Sequence, residues 1–207
     1  MTTSIWTEQE IARQFAGCRN LREIIRQLEA EFSNRGEVIC EIRVNGILLD
    51  EGDEERYGDS RREEIRDLAV RSNKPSALIV DAIRSTCVFI PELDKSCLST
   101  AELFRGPDLA AAQKRFKETL EGCQWLVDTL MHVRGAASGI GQPIAHPERW
   151  YEAEKILTKA IAELTEAYAN RDYTLVADLL EYEVTGALNI WRDAIEEERQ
   201  RRMPELS

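Results

Sequence analysis

Glu37-Val38-Ile39-Cys40-Glu41-Ile42-Arg43-Val44-Asn45-Gly46-Ile47-Leu48-Leu49 is the stretch that decides the fold. Val38, Cys40, Ile42 and Val44 alternate, which predicts a strand with one apolar face. Asn45-Gly46 then offers two residues that tolerate positive φ, as a type I′ turn requires. Ile47-Leu48-Leu49 returns as a second strand. Two strands alone are marginal in water, so the hairpin needs cover. Ile65-Arg66-Asp67-Leu68-Ala69-Val70-Arg71 supplies a third strand, with Leu68 and Val70 inward. Leu21, Ile24, Ile25, Leu28 and Phe32 recur at helical spacing. That helix is capped by Asn20 and ended by Asn34-Arg35-Gly36.

A short helix is expected over residues 7–17. Residues 50–60 read as a charged loop, whose Asp50, Asp53 and Glu54 lack the alternating oxygen ligands and closing Glu of a calcium loop. Ser72-Asn73-Lys74-Pro75-Ser76 is punctuation, so the first domain is expected to span 1–74.

Residues 75–207 read as helices. One starts at Pro75 or Ser76 and runs to Ile90, where Pro91 should kink or end it. Ser99-Thr100-Ala101-Glu102 has capping-box spacing and predicts a restart. A long helix over 108–134 carries the stripe Leu109, Ala112, Phe116, Leu120, Cys123, Leu126, Val127 and Leu130. Gly122 inside it suggests close approach of a neighbouring helix. Residues 135–143 read as a flexible loop. A helix over 147–170 follows, then the tight link Asn170-Arg171-Asp172, which implies an antiparallel partner. The last helix, 173–202, packs through Val176, Leu180, Val184, Ala187, Trp191 and Ala194. Its end, Glu196 to Arg202, should project into solvent. The expected class is α+β, mainly α: a small hairpin unit followed by an antiparallel helical bundle.

The formal charge is −11. Residues 1–75 hold 12 Lys/Arg and 16 Asp/Glu, a net of −4, and the remainder holds 15 and 22, a net of −7. Nucleic-acid binding requires clustered cations facing phosphates, and no such cluster is present, so neither nucleic acid nor an anionic membrane is an expected partner. A basic protein suits the charge. Cys18, Cys40, Cys87, Cys97 and Cys123 form no CxxC pair, and their odd number fits reduced thiols. The start of the chain lacks the basic and apolar runs of a signal peptide. A cytoplasmic, bacterial-type protein is expected.

The search for chemistry yields no cofactor motif and no metal set. Asp178, Glu181 and Glu183 lie close in sequence, but His132 and His146 stand in no Glu-x-x-His arrangement. A solvated acidic face is therefore expected. Gly139-Ile140-Gly141 is only a fragment of a nucleotide loop. Neither histidine has a nucleophile partner in a recognised motif, so no catalytic residue is assigned. His132 is expected near a helix C-terminus and His146 in a loop. Trp125 and Trp191 are expected in the core. Trp6, Trp150, Tyr151, Arg199 and Arg202 are the candidates for an exposed interaction surface, since interfaces favour aromatic residues and arginine. Ile79, Val88, Phe89 and Ile190 lie off the main stripes and predict a two-fold homodimer.

The final helix pair, with its Asn170-Arg171-Asp172 link and Leu179-Leu180-Glu181-Tyr182-Glu183 core, resembles the helical bundle of flagellar secretion chaperones. The strand unit has no counterpart in that family. The resemblance implies an assembly-protein role. The expected function is a non-enzymatic adaptor, scaffold or assembly factor. The alternative is an enzyme or ligand sensor with a site at the domain junction.

Overall fold

The computed structural model describes residues 1–203, without the side chains of Glu51, Glu54 and Glu55. The fold is α+β and mainly α, with a small antiparallel sheet followed by a helical bundle. The residues group into two compact units, Met1–Leu78 and Ile79–Ser207.

The first unit runs β1 (Thr2–Thr7), α1 (Glu8–Gln14), α2 (Leu21–Asn34), β2 (Val38–Val44), β3 (Ile47–Leu48), α3 (Glu51–Tyr57), a 3-10 turn (Arg62–Glu64) and β4 (Asp67–Asn73). Its four strands pair antiparallel in the order β1-β4-β2-β3. The turn forms as expected, with Asn45 at φ 52° and Gly46 at φ 79°. Asn45 also anchors the turn: its Nδ2 donates to the Glu64 carbonyl, and its Oδ1 accepts from the Arg66 amide at 2.7 Å.

The alternation along β2 is corrected. Val38 and Cys40 face outward, while Ile42 and Val44 face the core. A bulge between Ile39 and Glu41 explains this, because Ile39 pairs with Ser72 and Glu41 with Arg71. The extra residue, Cys40, reverses the facing of everything before it. Ile42, Val44, Leu68 and Val70 bury one face against Ile11, Phe15, Leu21, Ile24 and Leu28 from the helices. Each such side chain contributes roughly 1.5–3 kcal/mol on burial.

Three further expectations change here. Residues 2–7 form an edge strand that preceded every predicted element, and α1 starts at Glu8 rather than 7 and ends at Gln14 rather than 17. The Thr7 amide and hydroxyl both donate to the Glu10 carboxylate at 2.8 Å, which marks the strand-to-helix junction. Residues 51–57 are helical, because Asp50 caps them by accepting from the Asp53 amide at 2.7 Å. The last strand begins at Asp67 rather than Ile65 and extends to Asn73.

The second unit is a four-helix arrangement: α4 (Pro75–Arg105), α5 (Leu109–Gly139), α6 (Pro147–Ala169), and a last helix made of α7 (Tyr173–Asp178), a π-helical segment (Leu179–Val184) and α8 (Thr185–Arg202). The seam positions of α4 run Ile79, Ile83, Thr86, Ile90, Leu93, Cys97, Thr100, with Ala101 buried beside the last, and those of α5 run Ala112, Phe116, Thr119, Cys123, Leu126, Leu130, Val133, Ala137. Both alternate steps of four and three. That is the heptad seam of coiled-coil-like bundles.

The seam explains two corrections. α4 passes through Pro91 without ending, and Ser99 and Thr100 lie inside it. An interior proline costs about 3 kcal/mol, but Pro91 is exposed and its neighbours Ile90 and Leu93 are buried in the seam. The Ser99 and Thr100 hydroxyls donate back to the Ser96 carbonyl instead of starting a helix. α5 continues past Arg134 because Val133 and Ala137 extend the seam. It ends at Gly139, and Gly141 (φ 69°) closes it, with the Gly141 amide bonded to Ser138 O and the Gln142 amide to Ala137 O. This is a Schellman cap. Gly122 does mark a close approach: a Cβ there would lie 3.0 Å from Leu93 Cδ1 and 3.4 Å from Phe89 Cζ.

The last helix is not uniform. The wide turn at Leu179–Val184 absorbs one extra residue. It lets Val176, Ala177, Leu179 and Leu180 all reach the core before Val184, Ala187, Leu188 and Trp191 resume the packing.

Candidate functional site

The charged end of α8 does not project into solvent. Glu198 is 1% exposed. Its carboxylate accepts from Arg201 Nη2 and Arg202 Nε, and from the Ala145 amide at 3.0 Å. The same arginines reach the loop before α6, Arg201 donating to Pro143 O at 2.9 Å and Arg202 to Gln142 O at 2.8 Å. Met203 is buried as an apolar anchor. Burial pushes the Glu198 carboxyl up, but hydrogen bonds from Arg201, the Ala145 amide and Arg202 outweigh it and hold the pKa below its ordinary value. The segment is a clasp that ties the α5–α6 loop to α8.

His146 sits beside this clasp. Its Nε2 lies 3.1 Å from Glu197 and its Nδ1 3.3 Å from Glu148, and Arg149 pairs with the same Glu197. A histidine with two carboxylates in reach is a feature an enzyme could use. The depression around it, floored by Trp150 and Ala194, encloses no space for a water-sized group. His132 is exposed, lies within α5 rather than near its end, and has Nδ1 2.6 Å from the Asp128 carbonyl.

The five candidate surface residues separate. Trp150 is a correction: it is 2% exposed and meets Trp191 edge-on at 5.4 Å. Its position, the fourth residue of an α6 that starts at Pro147, puts it on the stripe with Ala153 and Leu157. Trp6 is half-buried, with its ring 6.0 Å from Phe15 and its Nε1 bonded to Gln14 Oε1 at 2.8 Å. Tyr151 is exposed, with the Arg134 guanidinium 5.7 Å above its ring. Arg199 is held by Glu196 at 2.7 Å, and the Arg202 side chain is only 8% exposed. Trp150, Tyr151 and Arg202 thus come to one end of the bundle, but only Tyr151 presents itself to solvent.

The converse correction is Trp125, which is 46% exposed rather than buried, its ring edge-on to Phe89 at 4.7 Å. Among the off-stripe residues, Ile79 is buried and Phe89 partly so, while Val88 and Ile190 are exposed.

Asp178 and Glu181 are not simply solvated. Arg105, in the last turn of α4, donates to both, at 2.8 Å to Asp178. Glu183 is exposed. Between α4 and α5, the Ser96, Thr100 and Thr119 hydroxyls form a chain at 2.9 and 3.0 Å. Nearby, a hydrogen bond with Cys123 and burial push the Cys97 thiol far up. Among the described residues, no group of three or more His, Cys, Asp or Glu could hold a metal ion. Among the described residues, no helix is long and apolar enough to cross a membrane.

One feature of the first unit escaped the sequence. A cavity of about 230 Å³ opens beside the hairpin. Leu21, Val44, Leu49 and Ile65, all buried, form its floor. Ile47, Tyr57, Ser60 and Glu64 rim it.

A family model described as a domain of unknown function (DUF8042) matches residues 81–194. The chain belongs to this family. The matched stretch runs from the first turns of α4 to Ala194 in α8, so it contains the four-helix packing, the π-helical segment and the Arg105 pairs. The sheet unit, its cavity and the α8 half of the clasp, Glu198, Arg201 and Arg202, lie outside it. Neither a curated protein nor a solved structure matches this chain.

Sequence reasoning missed the clasp because Glu196 to Arg202 contains no apolar residue, and period counting weighs only apolar positions. Glu198 does continue the stripe Trp191, Ala194, and that spacing was the available signal.

Proposed function

We propose that this protein is a non-enzymatic, intracellular protein-interaction module: an adaptor, scaffold or assembly factor whose partner is another, basic, protein. One observation carries the reading, namely what the chemically capable side chains of the bundle do. Glu198 fastens a loop, Arg105 fastens α4 to the last helix, the three hydroxyls link α4 to α5, and Cys97 faces Cys123 in the core. Each ties one element of the bundle to another. Large side chains favoured at interfaces remain on the surface, with Trp125, Tyr151 and Tyr182 at 46%, 61% and 64% exposure. A two-fold homodimer through Val88 and Ile190 belongs to the same reading.

The test is affinity capture from the source cell with the wild-type chain and with a Val88→Ser, Trp125→Ser, Tyr151→Ser variant, alongside light scattering. A stoichiometric protein partner held by the wild type and lost by the folded variant is expected. The pairing of His146 with Glu197 favours one second reading, a hydrolytic or transfer activity. Turnover of any substrate that disappears in folded His146→Ala would replace the interaction reading.

A further inference from the structure

The charge of the first unit is unevenly placed. Residues 50–67 hold nine Asp/Glu and four Arg, a net of −5, whereas residues 1–78 as a whole net −4. The rest of the unit therefore nets +1. This acidic stretch is the one that borders the cavity: it joins Leu49 to Tyr57, both in the lining, and continues through Ser60 and Glu64 at the rim. The floor beneath is apolar, and the rim carries the carboxylate of Glu64. Small-molecule sites run to about 300–1,000 Å³, so 230 Å³ suits one large side chain better than a cofactor or metabolite.

The backbone beside the cavity adds a second observation. β3 is the outer strand of the sheet and is only two residues long. Ile47 on β3 is half-exposed and lines the cavity. An extended segment running along this edge has backbone groups to pair with and a pocket for one of its side chains, the arrangement by which peptides add to sheets.

We propose that this cavity is a docking site for an extended basic peptide segment that inserts one large apolar side chain between Leu21, Val44, Leu49 and Ile65 while its Lys or Arg residues face the acidic 50–67 stretch. The proposal rests on the interaction-module reading and assigns it a site and a partner chemistry. Apolar burial supplies the anchor, and the local charge selects basic over acidic segments. Because Asp50, Asp59, Glu63 and Glu64 are exposed, the selection weakens as salt rises.

The probes are fluorescein-labelled nonapeptides of lysine and serine with a single central leucine, phenylalanine or alanine, plus glutamate-for-lysine counterparts. Their binding to the full chain is read by fluorescence anisotropy. The leucine or phenylalanine basic peptide should bind at least about tenfold more tightly than the alanine one, as expected for burying one large apolar side chain. Its acidic counterpart should not bind. Ile47→Arg places a cation at the mouth, and Glu64→Lys reverses a rim charge. Both residues are exposed, so the variants should keep the wild-type circular dichroism while weakening the peptide at least about tenfold and several-fold respectively. Equal binding of leucine and alanine peptides, equal binding of acidic and basic ones, or no binding of any would overturn the proposal. A partner captured by the wild type and by Ile47→Arg alike would sink this site while leaving the interaction-module reading standing.

Discussion

Replacing Glu198 by glutamine tests the clasp most directly. The carboxylate is 1% exposed and accepts from two arginines and the Ala145 amide. Arg201 is 43% exposed, so its pairing is screened and counts as a surface pair worth at most about 1 kcal/mol. The Arg202 side chain is 8% exposed and would be left as a buried, unneutralised cation. Breaking a buried pair costs about 3–5 kcal/mol. The surviving bond from Arg202 to Gln142 O and the amide's ability to accept one donor place this case at the lower end, about 3 kcal/mol. For a chain of this size, where 1 kcal/mol is worth about 2–4 °C, the melting temperature should fall by about 6–12 °C.

The pH dependence follows from the direction of the shift. The folded-state pKa lies below the ordinary carboxyl value. The stabilisation is therefore fully present above the unfolded carboxyl pKa of about 4.3 and is lost as pH falls through the folded value. Thermal unfolding followed by far-UV circular dichroism should show a large gap between wild type and Glu198→Gln at neutral pH. The gap should narrow below about pH 4. Replacing the pair together, as Glu198→Leu with Arg202→Met, should recover most of the loss, since well-packed apolar groups substitute for buried ion pairs. A Glu198→Gln melting temperature within about 1 °C of wild type would refute the reasoning and return the end of α8 to a solvated, fraying segment.

Three further outcomes are expected. Gly122→Leu should lower stability by about 1–3 kcal/mol, because the added side chain must displace buried Leu93, whereas Gly135→Ala, where nothing lies within 4 Å of the new Cβ, should raise it by about 0.5–1 kcal/mol; urea unfolding of the two variants measures both. Arg171 closes α6 at φ 58° with its amide on Tyr168 O, so Arg171→Gly should stabilise by up to about 1 kcal/mol, visible as a higher urea midpoint with unchanged slope. Trp191→Ala should cost about 3–5 kcal/mol and Trp125→Ala under about 1 kcal/mol, a contrast that separates a buried tryptophan from an exposed one in parallel melts.

Several elements were legible in the residues because their causes are local. Asn45-Gly46 dictates its turn through φ alone. Asn20 caps α2 by accepting from the Glu23 amide, and Gly36 closes it at φ 71°. The periodic runs located the long helices and the class. Other features had local signals that pointed the wrong way. Pro91 and the Ser99-Thr100-Ala101-Glu102 box both argue for a break, and the seam through Ile90, Leu93 and Cys97 overrides them. Trp150 and Trp125 exchanged their expected places because helix phase, fixed by where α6 begins and how α5 is rotated, decides burial.

The sequence by itself determined the fold class, the hairpin, the net negative charge and the order of the helices, since propensity, turn chemistry and composition are properties of short stretches. The tertiary structure decided the rest. Cys40 as the bulge that reverses β2, Glu198 as a buried anion and the cavity under Ile47 each depend on partners 33 to 53 positions away along the chain: Ser72 for Ile39, Ala145 for Glu198 and Ile65 for Leu21. Interactions of that range leave no period in the sequence. They exist only once burial has brought the elements together and made each unpaired charge or displaced residue costly.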